Sequence, residues 1–291
     1  MEIKEKGDYK MKKITLLMSL MLVLVLALAG CGTSDSEKSE SSGDSKGTFT
    51  VGMEAGYPPF NWTQSDDSNG GVKIKGGNEF AGGYDVAIAQ KIADHLDKEL
   101  VIVKTEWDGL VPALTSGKID AIIAGMSPTA ERLKTIDFSD NYYTSNLVVV
   151  VKKGSKYEGA TSLDQLDGAK ITAQLNTFHY SVIDQIPSVS KQTAMDNFPA
   201  MRVALESGKI DGYVSERPEG VSASAANDNL VMVEFEDGKG FETNPEDTAI
   251  AVGLKKGSDL KEQVNEALKG ISEDERVQLM DEAIKNQPAA K

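Results

Sequence analysis

Two stretches, "ALTSGKIDAIIAG" at 113–125 and "ALESGKIDGYVSE" at 204–216, write the same phrase twice, 91 residues apart. Each reads as the end of a helix, a glycine stop at Gly117 or Gly208, and a short apolar strand, because glycine tolerates the left-handed turn that ends a helix. The flanks agree. Residues 48–53 alternate as a strand. "DVAIAQKIADH" at 85–95 has helical apolar spacing with Asp85 placed as its cap. Residues 100–103 read as a strand, 108–114 as a helix and 119–124 as a buried strand. Around the second copy come a strand at 169–173, helices at 178–186 and 200–206, and a strand at 210–214. Strand and helix alternate in both halves, the pattern of α/β layers with parallel strands.

A second echo divides the chain. "VVVVKKGS" at 148–155 and "AVGLKKGS" at 251–258 are apolar extended runs ending in the same turn. They bracket the second α/β unit and predict two strands passing between two lobes. One lobe takes residues 48–145 plus 249–291 and the other 149–245. In open α/β sheets the carboxyl ends of strands face the ligand crevice. The two copies therefore deliver Ala124-Gly125 and Ser215-Glu216 to equivalent places in facing lobes.

The first 30 residues read as an export signal: Lys10, Lys12 and Lys13, an apolar run from Ile14, then Leu28-Ala29-Gly30. Met11 is an alternative start. Cys31 is the single cysteine, so no internal disulfide forms. Residues 32–47, "GTSDSEKSESSGDSKG", are polar and read as a disordered tether. The formal charge is −14; five lysines and three acids before Cys31 put the remainder near −16. That balance argues against nucleic acid and against an anionic membrane face. With His95 and His179 as its only histidines, the chain lacks ligands for a zinc or copper site.

The candidate chemistry lies at strand ends. In "GMSPTAER", 125–132, Ser127 suits a helix cap and Pro128 a first helical position. Free amides there, with Arg132 about one turn inside, make a carboxylate site. In "AQLNTFHY", 173–180, a strand ends near Gln174 and Thr177 can cap the next helix. Glu216 brings an acid to the same crevice. One lobe offers a cation and the other an anion, which suits a zwitterion. In "MEAGYPPFNW", 53–62, Pro58 holds Tyr57 extended. Trp107 follows another strand, and the two aromatics predict a wall on the cleft.

The motifs "EAGYPPF", "GGYDVAIAQKIA", "WDGLVPALTSGKIDAIIAGMSPTAER", "IDFSDNYY" and "SGKIDGYVSERP" together resemble the bacterial extracellular solute-binding proteins, family 3, which serve ABC importers of polar amino acids. Leu-Ala-Gly before Cys31 resembles a lipobox, implying a lipid on Cys31 and anchoring at the extracellular face of the cell membrane, as in Gram-positive bacteria. The resemblance implies a two-lobed periplasmic-binding-protein-like fold, no cofactor and no catalysis. A monomer would partner with a permease and an ATPase. It assigns the ligand carboxylate to Arg132, with the Gly125 backbone and the Ser127 side chain assisting, and the ammonium to Glu216, where the family more often has aspartate. Tyr57 and Trp107 would sandwich the side chain, and Glu54, Gln174 and Thr177 would tune specificity.

Arg132 and Glu216 already balance a zwitterion, so Glu54 is a surplus acid that a closed cleft would leave unpaired unless the ligand brings a cation. Arginine fits, then lysine. Glutamine is the rival, since Glu54 could accept from its amide. A dehydratase-like enzyme on the same fold stays open through Glu216 as a general acid.

Overall fold

The computed structural model describes residues 46–288. The expected export signal, lipidated Cys31 and the tether up to residue 45 lie outside the described residues. Among the described residues no helix is long and apolar enough to cross a membrane.

In chain order come Thr48–Met53 (β1), Gly56–Tyr57 (β2), Asn61–Gln64 (β3), Val72–Lys73 (β4), Phe80–Gly82 (β5) and Tyr84–His95 (α1). Glu99–Lys104 (β6), Trp107–Thr115 (α2), Ala121–Ile122 (β7), Ile136–Thr144 (β8) and Leu147–Lys152 (β9) follow. Then Lys170–Thr172 (β10), Phe178–Val182 (α3), Ser190–Lys191 (β11), Phe198–Glu206 (α4), Gly212–Glu216 (β12), Arg217–Ala226 (α5) and Leu230–Val233 (β13) build the second α/β unit. Pro245–Thr248 (α6), Ala249–Lys255 (β14), Leu260–Lys269 (α7) and Glu273–Asn286 (α8) close the described chain.

The strands form two five-stranded sheets, ordered β6-β1-β7-β14-β8 and β11-β10-β12-β9-β13, and a small antiparallel sheet β2-β3-β5-β4. In the first large sheet β1 runs parallel to β6 and β7, and β14 runs antiparallel to β7 and β8. The second repeats the arrangement, with β10 parallel to β11 and β12 and with β9 antiparallel to β12 and β13. The chain crosses from the first large sheet to the second between Thr144 and Leu147 and returns at Ala249. The two crossings lie side by side, the Ser145 amide donating to the Thr248 carbonyl at 3.1 Å. Each crossing leads directly into one of the two echoed strands.

The repeated "SGKID" is a stitch. After α2, Gly117 at φ +78° lets its amide donate to Leu114 and the Lys118 amide to Ala113. After α4, Gly208 at φ +74° does the same with Leu205, and Lys209 with Ala204. These paired bonds satisfy carbonyls that a helix end leaves free. The isoleucine that follows is buried in each copy, Ile119 and Ile210. The aspartate then ties the new strand to its neighbour: Asp120 Oδ2 accepts from the Thr50 amide at 2.8 Å, and Asp211 Oδ2 from the Lys170 amide at 2.9 Å.

Four local expectations are corrected. Asp85 does not cap its helix. Gly83 stands at the cap, and Asp85 is fully buried in the first turn, accepting from Asn61 Nδ2 at 2.8 Å and the Tyr142 hydroxyl at 2.7 Å. No helix starts at Ser127. The Ala251 amide donates to the Met126 carbonyl at 3.0 Å and ties that segment to β14, and only one 3-10 turn forms, at Arg132–Lys134. The 119–124 segment is buried but pairs as a strand only over Ala121–Ile122, because the chain leaves the ladder to reach Gly125. The 178–186 helix is one short α-helix, Phe178–Val182, followed by a 3-10 turn at Ile183–Gln185.

Candidate functional site

The carboxyl ends of the two large sheets face each other across a narrow cleft. Of the nine predicted ligand-binding residues, Tyr57, Trp107, Gly125, Ser127, Arg132, Gln174 and Thr177 line it, joined by Phe178, His179 and Phe198. Glu54 and Glu216 lie just behind that wall, each touching a lining residue. The free space enclosed is only about 10 Å³, no more than one water requires.

Arg132 spans the cleft. Its Nη1 donates to the Ser127 carbonyl at 3.0 Å and its Nη2 to the Asn176 carbonyl at 3.0 Å. The guanidinium carbon lies 5.0 Å from the centre of the Trp107 ring, a cation–π contact. Trp107 therefore supports the cation from the first turn of α2. Burial pulls the guanidinium down to about 10 while Glu131 and Asp247 oppose that, so it stays charged at neutral pH. Among the described residues no carboxylate forms an ion pair with it.

The neighbours predicted to help Arg132 are differently occupied. Gly125 has φ +62°, and a Cβ there would lie 2.8 Å from Tyr57 Cε1, so a glycine is needed on both counts. Its amide donates to the Tyr142 hydroxyl at 3.3 Å. Ser127, with no helix to cap, keeps its buried side chain on the cleft wall. Thr177 sits at the cap of α3 but does not cap it; its hydroxyl donates to the Gln174 carbonyl at 2.7 Å.

Glu216 ends β12 with 2% of its surface exposed. It is not paired with adjacent Arg217, whose Nε bonds Glu234. Its Oε2 accepts from the hydroxyl of Tyr57, which lies in the small sheet, and its Oε1 lies 3.0 Å from His179 Nε2. Burial pushes the carboxyl up to about 8; the backbone hydrogen bond opposes this and Glu219 adds to it. The Tyr57 ring stacks on Phe198 at 4.2 Å and on Phe60 at 5.0 Å. The aromatic wall is thus Tyr57 with Phe198 and Phe60, while the Trp107 face is taken by Arg132.

Glu54 is not unpaired, as the sequence reading expected of a closed cleft. Gln174 Nε2 donates to both of its oxygens, at 3.0 and 3.2 Å. A neutral amide compensates only part of the cost of burying a charge. Burial therefore pushes Glu54 up to about 7, with the Gln174 bond opposing and Glu106 and Asp108 reinforcing the rise. Glu106, Asp108 and Asp196 line the groove on the far side of Trp107. Across it, Asn176 Nδ2 donates to Asp108 Oδ1 at 2.8 Å.

Residues that sequence reasoning missed are His179, Phe178, Phe198 and Asn176. Phe178, His179 and Asn176 sit inside "AQLNTFHY", whose strand-to-helix turn was already the signal, and Asn176 at φ +55° marks the turn itself. Phe198 begins the helix that carries the second repeat, and nothing local marked it.

The profile of the bacterial extracellular solute-binding proteins, family 3, matches residues 49–284. The chain belongs to that family. This family 3 protein is 32% identical over 240 residues to the L-cystine-binding protein TcyJ of Escherichia coli (strain K12), covering 81% of this chain and 82% of that one. It is 28% identical to the arginine-binding extracellular protein ArtP of Bacillus subtilis (strain 168), over 81% of this chain and 86% of that one. Among solved structures, an amino acid ABC transporter substrate-binding protein from Streptococcus pneumoniae bound to L-arginine superposes with a TM-score of 0.70 at 29% identity, covering 82% of this chain and 94% of that one. Such neighbours share the two-lobed, periplasmic-binding-protein-like α/β fold.

Proposed function

We propose that this protein is the substrate-binding component of an amino acid ABC importer and that it takes a polar, cationic amino acid, arginine before lysine, between its two lobes. The observation that carries the reading is the pairing of unlike poles. Arg132, without a carboxylate partner among the described residues, faces a cleft whose other lobe holds buried Glu216. An α-carboxylate on Arg132 and an α-ammonium on Glu216 would complete both. The side chain would run toward Glu54 and Gln174, with Glu106, Asp108 and Asp196 beyond Trp107, where a guanidinium or ammonium is favoured by charge. The relatives named for arginine support the same reading.

The enclosed space of about 10 Å³ admits no amino acid, so the ligand enters only when the lobes part. Residues 48–145 with 249–291 would move against 149–245 about the paired crossings at Ser145 and Thr248, a hinge motion. Ligand contacts to both lobes then favour reclosure. The closed form would dock on a permease with its ATPase, the protein acting as a monomer held at the extracellular face by a lipid on Cys31.

Glutamine is the second reading, favoured by one observation: Glu54 already accepts an amide N–H, from Gln174. Isothermal titration with arginine, lysine, glutamine, histidine and cystine separates the two. Arginine binding at least tenfold tighter than glutamine supports the cationic reading, and the reverse order replaces it.

A further inference from the structure

We propose that His179 is a ligand-recognition residue, the second acceptor beside Glu216 for the amino group of the bound amino acid. The proposal rests on the amino acid reading given above and adds a residue to it.

His179 has 5% of its surface exposed and lines the cleft. Neither ring nitrogen makes a hydrogen bond among the described residues. A buried polar group without a partner costs free energy comparable to a lost hydrogen bond, so it calls for an occupant. The Nε2 atom lies 3.0 Å from Glu216 Oε1, outside hydrogen-bond geometry. The ring lines the same cleft as Arg132 and feels its charge, so it lies near both poles that would hold a zwitterion. Burial, and then Arg132, pull the imidazole down to about 3, so it is neutral at physiological pH and keeps a lone pair. An ammonium has three N–H donors. Glu216 satisfies one or two, and a neutral imidazole beside it satisfies another without adding a repelling charge.

The Tyr57 hydroxyl indicates which group gives way. It donates to Glu216 from the small sheet of the first lobe, residues 48–145, and Tyr57 therefore leaves when the lobes part. His179 stands on α3 in the same lobe as Glu216 and stays. In the closed structure the tyrosine hydroxyl fills the donor position that a ligand amino group would take, with Glu216 and His179 as its fixed surroundings.

The test compares L-arginine with 5-guanidinopentanoate, the same molecule without its α-amino group, on purified wild-type protein and on His179→Phe and His179→Gln. Binding is read by displacement at up to millimolar ligand. The expected result is a loss of about ten- to a hundredfold for arginine in His179→Phe, the value of a hydrogen bond to a charged group. The deamino analogue should hold within about twofold, and His179→Gln should recover part of the loss, its amide oxygen being an acceptor. Equal losses for both ligands, or no loss for either, overturn the proposal. A second readout needs no variant: the ¹⁵N resonances of the His179 imidazole should move when arginine is added to wild type and stay when the analogue is added. Unmoved resonances with bound arginine also overturn it. If wild type ignores arginine but binds glutamine, the side-chain reading fails and the comparison is repeated with glutamine and its deamino counterpart. A wild type that binds no amino acid sinks both.

Discussion

Glu54→Gln isolates the residue on which the choice of ligand turns. The change keeps volume and still offers Gln174 an oxygen to bond. What it removes is a charge. Raising the carboxyl from 4.5 to about 7 corresponds to about 3 kcal/mol of ionisation cost in the closed cleft. The sign follows from the protons held. Between those values the folded protein keeps a proton that the unfolded chain has released, so stability is greatest at low pH and falls as pH rises through 7. Glu54→Gln removes that loss. At pH 8 the ligand-free variant should gain up to about 3 kcal/mol, and at pH 5 less than about 1. For a domain of this size the gain at pH 8 appears as a melting rise of several degrees, at most about 10 °C. Opening of the cleft lets water reach Glu54 and brings the value below that ceiling. Arginine should then bind about 30- to 1,000-fold more weakly, because its cation loses a buried partner. Glutamine should change by less than about fivefold. Differential scanning calorimetry at pH 5 and 8 and titration with both ligands are the assays. A variant that binds arginine as tightly as wild type, or that loses both ligands equally, would refute the assignment of Glu54 to the side chain.

Arg132→Ala should weaken every amino acid by at least about a hundredfold in titration, since each ligand loses its carboxylate partner. Tyr57→Phe keeps the ring stack but frees Glu216 of its hydroxyl; the ligand-free protein should open, seen as a larger radius of gyration in X-ray scattering, and arginine should bind about three- to tenfold more tightly. Gly125→Ala forces a side chain into a φ of +62° beside Tyr57 and should cost about 1–3 kcal/mol in denaturant unfolding. Glu216, raised to about 8, should make the ligand-free melting temperature fall between pH 5 and 8, again because the folded form holds the extra proton. Glu216→Gln should flatten that part of the curve in a pH series of melts.

Much of the fold was legible because its signals are local. Gly117 and Gly208 stop helices by bonding the carbonyl three residues back, while the lysine after each bonds the carbonyl five back, and "SGKID" announces that turn in both copies. The echo of 148–155 in 251–258 predicted strands that themselves pass between the lobes; each echoed strand instead starts just after a crossing and stays within one sheet. Local patterning failed where a distant partner won. Asp85 looked like a cap, yet Asn61 and Tyr142 claim its oxygens in the interior. Ser127 and Pro128 looked like a helix start, yet β14 holds the segment through Ala251.

The candidate site divides the same way. By itself the sequence placed Glu54, Arg132, Gln174 and Glu216 at the ends of strands in two α/β units, because strand ends and turn residues are written within a few positions of each other. Only the tertiary structure decided what those side chains meet. Gln174 reaches Glu54 across 120 residues, and Tyr57 reaches Glu216 across 159. The Trp107 face goes to Arg132, and His179 comes to rest beside Glu216. Periodicity and spacing encode the backbone path over a few residues. The burial and partners of a charged group depend on which distant segment covers it, and that is settled when the two lobes come together.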